Sequence, residues 1–324
     1  MTTPHAPEVL SFGEAMTLFV ADVPGDLAQI EGFSRRIAGA DTNVAIGLAR
    51  LGFSVGWLSR VGDDSFGRYL RTKLEAEGLD CRHLITDPSN PTGLMFKERA
   101  LEGADPRTEY MRKGSAASHL SPADAANVDV SALRHLHATG IPPAVSASCR
   151  ELSWHLLDEA RRNGASVSFD PNLRPTLWAS ETGMRDTLNA MAAKAHWVLP
   201  GLAEGRLLTG FETPHDIAGF YLDQGAEAVV IKLGPEGSYY RGRIGGTEQA
   251  FSVAGVAVAK VIDTVGAGDG FAVGFVSAML DGLAPRQALQ RANLIGAEAV
   301  QVLGDMEGLP DRAALARLEA TLAD

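Results

Sequence analysis

The sequence predicts an α/β fold: one domain over residues 1–324, with a mostly parallel central sheet, covering helices and a small β lid. The first observation is a regular alternation of strand and helix patterns, which is the order that builds a parallel sheet. The second is a break in this alternation at residues 91–114, where two strand patterns flank a turn-rich connection. The third is that the chain contains no linker, repeat or low-complexity tract, which favours a single domain.

The elements follow from local apolar patterns in chain order. Runs at 9–12 and 18–20 predict short strands, and the stretch from there to Gly39 shows no helical period. Apolar residues at three- and four-residue spacing predict helices at 41–51, 66–74, 150–163, 183–193, 271–280, 286–303 and 311–322. Short apolar runs between them predict strands at 55–61, 136–139, 165–170, 197–199, 229–233, 238–243, 250–253 and 255–262. Of these, 238–243 and 250–253 are expected to be antiparallel.

The interruption at 91–114 predicts a β-hairpin. Strand patterns at 92–98 and 108–112 are joined by a polar, turn-rich connection at 101–106. A β excursion of this kind in a βα chain is typical of a lid or a dimer surface. We therefore expect lid strands within about 14–37 and 91–114, and a homo-oligomer formed through the lid.

Composition limits the partners. The net charge of -11 and the isoelectric point near 5.2 argue against nucleic acid or an anionic membrane surface as a partner. Cys81 and Cys149 match no metal or redox spacing, which predicts free, packed thiols in a reducing compartment. Residues 1–7 show no basic region before an apolar segment, and no run of about 18 apolar residues occurs. The expected location is cytoplasmic.

Residues 263–271 read D-T-V-G-A-G-D-G-F, between an apolar run and a helical period. The free N–H groups of a helix start form an anion site, and Gly266, Ala267 and Gly268 are small enough to admit a phosphate. A carboxylate at Asp269 would repel that anion unless it accepts the proton of an alcohol attacking a phosphoryl group. The alternative is that Asp263 or Asp269 caps the helix and the glycines only turn the chain.

Three other polar segments are predicted at ends of strands, where ligands of open α/β folds bind. Gly39 and Asn43 flank the start of the first long helix, with simple capping by Asp41 as the alternative. Tyr110 to Ala116 carries Arg112, whose planar fork suits a carboxylate, although an exposed charge pair would have the same pattern. Arg174 follows the strand at 165–170, and a structural Asp-Arg pair is the alternative there.

The segment at 263–271 resembles the second signature, D-T-x-G-A-G-D-x-F, of the PfkB or ribokinase-like carbohydrate kinases. In that family the signature carries the anion hole and the catalytic aspartate. The resemblance implies that Asp269 is the base and that Gly266, Ala267 and Gly268 form the anion hole. It also implies that Gly39 and Asn43 hold sugar hydroxyls, with Ala38 in place of the usual first glycine.

Two segments resemble 2-keto-3-deoxygluconate kinases, the branch of that family with an acid sugar as substrate. They are Y-x-R-K-G-S-A at 110–116 and D-x-N-x-R-x-x-L-W at 170–178. The resemblance implies substrate contacts from Tyr110 and Arg112, and a contact of Arg174 with either the acid substrate or the transferred phosphate. Met95 and Leu173 stand where these kinases often have tyrosine.

The nucleotide side of the resemblance is carried by separate positions. Glu204 matches the glutamate of the family motif N-x-x-E, which organises water around Mg²⁺, with Gly201 in the first position. A solvated helical glutamate is the alternative. The resemblance also implies nucleotide contacts, from Lys232, Gly234, Gly237, Asp263 and Asn293. His135 and His137 share one strand face without a metal motif, so we predict structural histidines.

Together these segments imply a ribokinase-like three-layer αβα sandwich that uses ATP and Mg²⁺, with a monovalent-cation requirement left open. The implied reaction is phosphorylation of the terminal primary hydroxyl of an acid sugar, 2-keto-3-deoxygluconate to its 6-phosphate. Two alternatives remain. One is another kinase of the family, acting on fructose, ribose or 5-dehydro-2-deoxygluconate, and the other is a non-catalytic sugar- or nucleotide-binding protein on the same fold.

Overall fold

The computed structural model describes residues 6–99 and 106–321. The strands are β1 (Val9–Phe12), β2 (Met16–Ala21), β3 (Phe33–Ala38), β4 (Val55–Gly62), β5 (Leu84–Asp87), β6 (Leu94–Lys97), β7 (Thr108–Met111), β8 (His135–Thr139), β9 (Ser166–Asp170), β10 (Trp197–Val198), β11 (Ala228–Lys232), β12 (Ser238–Gly242) and β13 (Gln249–Val253). The helices are α1 (Ala40–Arg50), α2 (Ser65–Ala76), α3 (Pro142–Val145), α4 (Ala147–Arg162), α5 (Glu181–Ala192), α6 (Leu202–Thr209), α7 (Pro214–Asp223), α8 (Ala267–Leu280), α9 (Pro285–Ala299) and α10 (Arg312–Thr321).

Nine strands form the large sheet, in the order β13-β12-β11-β10-β9-β8-β1-β4-β5. Its pairings are parallel from β11 to β5, and β12 and β13 add an antiparallel edge. One hydrophobic core joins this sheet to α1, α2, α8, α9 and α10, and a second joins it to α4, α5, α6 and α7. The predicted three-layer αβα sandwich is therefore confirmed.

Four strands form the small sheet, in the order β3-β2-β6-β7. The predicted hairpin is confirmed, because β6 and β7 are antiparallel with Leu94 opposite Met111. The connection predicted at 101–106 lies outside the described residues except for Pro106. The strand β2 pairs in parallel with β6, and a small apolar cluster including Leu18 and Met95 packs in this sheet.

The strand predicted at 255–262 is wrong. The chain there is irregular, and Gly255 and Ile262 donate their N–H groups to isolated carbonyls of Glu236 and Val300. Val256 packs on the core that contains α8 and α9, whereas Ile262 is 40% exposed, so the apolar character of this run does not reflect membership of a sheet. The glycines that follow it therefore lie on a loop-to-helix turn.

The sequence analysis also missed β5, α3, α6 and α7. A signal for α7 was available, because Thr213 caps the helix by accepting from the Asp216 N–H, and Pro214 stands at its first position. Cys81 and Cys149 are free and buried, as expected. Across the described ranges, no helix combines the length and apolar character that crossing a bilayer needs.

The two histidines of β8 have structural surroundings, as predicted. His135 bonds the hydroxyls of Ser166 and Ser168 through its two ring nitrogens, each at 2.8 Å. His137 Nδ1 also lies 2.8 Å from the Ser168 hydroxyl. Burial lowers the pKa of His137 to about 3, which keeps its ring neutral at physiological pH.

Candidate active site

A cavity of about 310 Å³ lies between the carboxyl ends of the large-sheet strands and the small sheet. From the small sheet and its flanks it is lined by Glu14, Met16, Ala38, Met95, Tyr110 and Arg112. From the large-sheet side it is lined by Gly39, Ala40, Asp41, Asn43, Ile141, Asn172, Arg174, Glu204, Lys232, residues 264–266, Gly268, Asp269 and Asp305. The sheet edge that the sequence indicated is therefore also the edge where these polar side chains meet.

Asp269 lies in the first turn of α8 and is 8% exposed. Its Oδ2 accepts a 2.8 Å hydrogen bond from Asn43 Nδ2, and its Oδ1 accepts a longer one, 3.4 Å, from Asn172 Nδ2. Burial raises the pKa of Asp269, while the Asn43 hydrogen bond and the Lys232 cation limit that rise. A carboxylate with a raised pKa is a stronger proton acceptor, which is the property a general base needs.

The glycine turn, residues 263–269, leads into α8 through Gly266. Gly266 has φ 85°, and a Cβ there would lie 2.2 Å from the Asp305 carbonyl oxygen, so the turn requires glycine at this position. No described side chain caps the helix, so the capping alternative for Asp263 and Asp269 is wrong. The N–H groups of the first turn remain available to an anion at the positive end of the helix dipole.

Lys232 brings a cation to this turn. Its Nζ lies 2.6 Å from Asp170 Oδ2 and would lie 3.6 Å from a Cβ built on Gly268. Burial lowers the pKa of Lys232, but the charges of Asp170 and Glu204 raise it more, so the ammonium group keeps its proton. The side chain is only 16% exposed, so its positive charge is held beside the N–H groups of this turn.

Arg112 enters the same cavity from the small sheet. Its Nη2 lies 2.6 Å from Glu14 Oε2, and Ser115 donates a 2.5 Å hydrogen bond to the other carboxylate oxygen of Glu14. The buried Nε of Arg112 has no hydrogen-bond partner among the described residues, while other atoms of the side chain line the cavity. Arg174 is exposed and donates from Nη1 to the Leu173 carbonyl at 2.9 Å, so it lies at the rim.

Asn172 and Asp41 are two of the cavity residues that the sequence analysis did not assign to the site. Asn172 holds φ 39°, a left-handed conformation that asparagine tolerates, and its amide reaches Asp269. Its position in the D-x-N-x-R run was the available signal. Asp41 lies inside α1, whose N-cap is Gly39, so Asp41 does not cap the helix. Burial raises the pKa of Asp41 to about 7, and its Oδ1 has no partner among the described residues.

Glu204 is both a helix-capping and a cavity residue. Its two carboxylate oxygens accept from the Gly201 and Leu173 N–H groups, each at 2.7 Å. The described residues contain no cluster of three or more acidic, histidine or cysteine side chains that could hold a metal alone. Glu204 keeps unused lone pairs toward the cavity, which suits water around a metal ion better than direct chelation.

The other proposed nucleotide residues lie outside the cavity lining. Gly234 and Gly237 form the turn between β11 and β12, with φ 62° and 100°. Asn293 donates from Nδ2 to the carbonyls of Val253 and Ala254, at 3.2 and 3.0 Å. Asp263 faces the Lys97 ammonium, and Ala267 is also absent from the lining of the described cavity.

Comparisons with known proteins agree with this geometry. A sequence profile of the pfkB family carbohydrate kinases matches residues 6–312. The 2-dehydro-3-deoxygluconokinase of Bacillus subtilis (strain 168) is 48% identical over 310 residues, which cover 95% of this chain and 94% of that protein. Among solved structures, the PfkB protein from Polaromonas sp. JS666 has a TM-score of 0.88 and 52% identity, covering 96% of this chain and 99% of that one.

Two further solved structures carry ligands. A putative ribokinase II from E. coli, in complex with ATP and Mg²⁺, has a TM-score of 0.87 and 27% identity, covering 98% of this chain and 99% of that one. A fructokinase double mutant from Vibrio cholerae O395, bound to fructose, ADP and potassium, has a TM-score of 0.82 and 28% identity, with coverage of 97% and 99%.

Proposed function

The chain belongs to the pfkB family of carbohydrate kinases, and we propose that it phosphorylates the terminal primary hydroxyl of 2-keto-3-deoxygluconate with ATP, giving the 6-phosphate. The observation that carries this proposal is the placement of Asp269 beside the glycine turn, in one cavity with Arg112. The first feature supports phosphoryl transfer to an alcohol, and the second supports a substrate with a carboxylate. The 48% identical kinase, whose name states the same sugar acid, adds support.

In the proposed mechanism Asp269 accepts the hydroxyl proton as the sugar oxygen bonds to the γ-phosphorus and the bond to the ADP oxygen breaks. Asn43 and Asn172 hold one carboxylate oxygen each, which fixes the plane of the base. Gly39 and Asn43 would contact sugar hydroxyls at the cavity wall. Because phosphoryl transfer depends mainly on positioning, this rigid support of the carboxylate matters for rate.

Charge on the phosphoryl group in transit would be bound by the N–H groups of Gly266, Ala267 and Gly268 and by the Lys232 ammonium. Lys232 is fixed by Asp170, so it needs little reorganisation during the reaction. We propose that Gly234, Gly237 and Asn293 shape the ATP site. Asn293 would act by holding the end of β13, because its amide already bonds two carbonyls there.

Mg²⁺ fits the acidic character of this region. With no three-residue metal cluster in the described chain, the ATP phosphates would supply most of its ligands, and Glu204 would hold water next to it. When bound, Mg²⁺ would supply neutralisation of phosphate charge.

The acid group of the substrate would be bound by Arg112 and Arg174, with Tyr110 beside them. Glu14 lies against Nη2 of Arg112, and the part of the guanidinium group that lines the cavity would meet the carboxylate. We propose that the small sheet acts as the lid of a single kinase domain and excludes water when a sugar is bound. The exposed Tyr110 and Met111 on β7 (45% and 58%) support oligomer formation through this sheet.

The decisive experiment is a coupled assay of ADP release across acid and neutral sugars. We expect the highest kcat/KM with 2-keto-3-deoxygluconate, and lower values with 5-dehydro-2-deoxygluconate, fructose and ribose. A neutral sugar as the best substrate would reassign the chain to another branch of the family. Light scattering of the purified protein would test the oligomer separately, and a monomer would remove that part of the proposal.

A further inference from the structure

Lys97 has a fully buried side chain (0% exposed) at the end of β6, and the function proposed above does not use it. Its Nζ lies 2.6 Å from Asp263 Oδ2 and 3.0 Å from Asp305 Oδ1. Both carboxylates are buried as well, at 2% and 5% exposure. Because an unpaired buried charge is strongly unfavourable, this arrangement holds only while the ammonium and the two carboxylates remain together.

Both carboxylate partners of Lys97 are parts of the phosphate-binding region. Asp263 opens the glycine turn, and its Oδ1 accepts from the Val265 N–H at 3.1 Å. Asp305 lies against the same turn, because its carbonyl oxygen is the atom that a Cβ on Gly266 would meet. Asp305 also lines the cavity. Lys97 itself is not among the lining residues, so its connection to the cavity runs through these two neighbours.

We propose that Lys97 is a positioning residue that supplies, as a tethered ammonium group, the monovalent positive charge behind the glycine turn, and that the enzyme therefore needs no free monovalent cation. Potassium is present in the related fructokinase structure. An ammonium group and K⁺ carry the same charge and are similar in size, and in this chain the gap between the two buried carboxylates is already filled by Lys97. A free cation therefore does not fit there.

Because Lys97 is covalently part of β6, its charge moves with that strand, which the charge of a free ion would not do. Lys97 belongs to the small sheet, where it pairs with Val20 of β2, whereas Asp263 and Asp305 belong to the segments flanking α8 and α9. The ion pairs thus join the sheet on the sugar side to the turn on the phosphate side. Displacement of β6 would withdraw the charge that holds the turn in place.

The kinetic test rests on the proposed kinase activity and compares salts at constant ionic strength. Wild-type kcat should agree within about twofold in KCl, NH₄Cl, NaCl and choline chloride. Lys97→Ala should lose about a hundredfold in kcat, the scale of a small misplacement of reacting groups, with a much smaller change in the KM of the sugar. In this variant KCl or NH₄Cl should raise kcat at least about tenfold. Choline chloride should not raise it, because choline is too large for the space.

Lys97→Met is the matched control, since it removes the charge but fills the space. Its kcat should fall by about as much as that of Lys97→Ala, and none of the salts should raise it. A readout independent of turnover is the melting temperature, which KCl should raise relative to choline chloride for Lys97→Ala but not for the wild type. This readout remains valid if no sugar is phosphorylated, so the two proposals can fail separately.

The proposal is overturned if wild-type turnover requires K⁺, or if Lys97→Met keeps the wild-type kcat. Equal responses of Lys97→Ala to potassium and choline, in both rate and melting temperature, would also overturn it. Should Lys97→Ala not fold, the wild-type salt series, Lys97→Met and Asp305→Asn together still decide. That variant keeps the ammonium and one carboxylate, so we expect it to remain independent of K⁺, and an acquired K⁺ requirement would contradict the tethered-cation assignment.

Discussion

The Nδ2 group of Asn43 donates a 2.8 Å hydrogen bond to Oδ2 of Asp269, which joins the start of α1 to the first turn of α8. The two residues are 226 positions apart in the chain. One comes from the sugar-binding end of the proposed site and the other is the proposed base. This single contact therefore ties the orientation of the base to the wall that would hold the substrate.

Replacing Asp269 with asparagine should lower kcat by at least about a hundredfold, the usual scale for loss of a general base. The affinity for ATP should change little, because the amide keeps the shape of the side chain and no nucleotide group is assigned to it. Steady-state kinetics with a calorimetric measurement of nucleotide binding would check both. A variant with wild-type turnover would remove Asp269 from the base role.

The pH dependence of kcat/KM should reflect the ionisation of Asp269. The base works only when it is deprotonated, and burial raises its pKa above the ordinary value, so kcat/KM should fall on the acid side. The Asn43 hydrogen bond stabilises the carboxylate, so Asn43→Ala should move this acid limb to higher pH. An acid limb that stays in place, with only the KM of the sugar raised, would mean that Asn43 contacts substrate and does not tune the base.

Arg112→Ala should raise the KM of the acid sugar at least about tenfold, since it removes a charge-assisted contact. The KM of the corresponding sugar amide, a neutral analogue of similar shape, should change much less. Because Glu14 would lose its partner, Arg112→Ala/Glu14→Gln is the control that separates loss of binding from a buried unpaired charge. An equal rise in KM for the acid sugar and its amide would mean that Arg112 does not bind the substrate carboxylate.

Gly266→Ala should lower the free energy of unfolding by about 2–4 kcal/mol, through a left-handed φ and a collision with the Asp305 carbonyl. Gly268→Ala is the matched control, because its Cβ would meet only the end of the Lys232 side chain, at 3.6 Å. We expect a stability within about 1 kcal/mol of the wild type for that control. Urea unfolding would measure both, and equal stabilities would contradict the requirement for glycine at 266.

Local patterns were sufficient for the layers of the fold, because strands and helices in a parallel α/β protein have different apolar periods. They failed at 255–262, where the apolar residues join no sheet: Val256 packs on the core and Ile262 is exposed. Helices α6 and α7 were missed although a capping signal was present at Thr213.

The glycine turn and the arginines could be found from sequence, because each is a short run of unusual residue types. Asn172 stands in the D-x-N-x-R run and could have been selected in the same way, whereas Lys97 and Asp41 could not. Lys97 stands alone in a strand pattern, and its partners are 166 and 208 residues away. A lysine in such a pattern is usually exposed, and only the tertiary structure brings the two carboxylates that keep it buried.

The parallel pairing of β2 with β6 has a consequence for folding. Thr17 and Leu94 face each other across that pairing, although α1, β4, α2 and β5 lie between them in the chain. Closing so long a loop is entropically unfavourable until the intervening elements have folded, so nucleation should begin in the large sheet. The sugar-side strands would then assemble last, and in native-state hydrogen exchange their amides should be among the first to open.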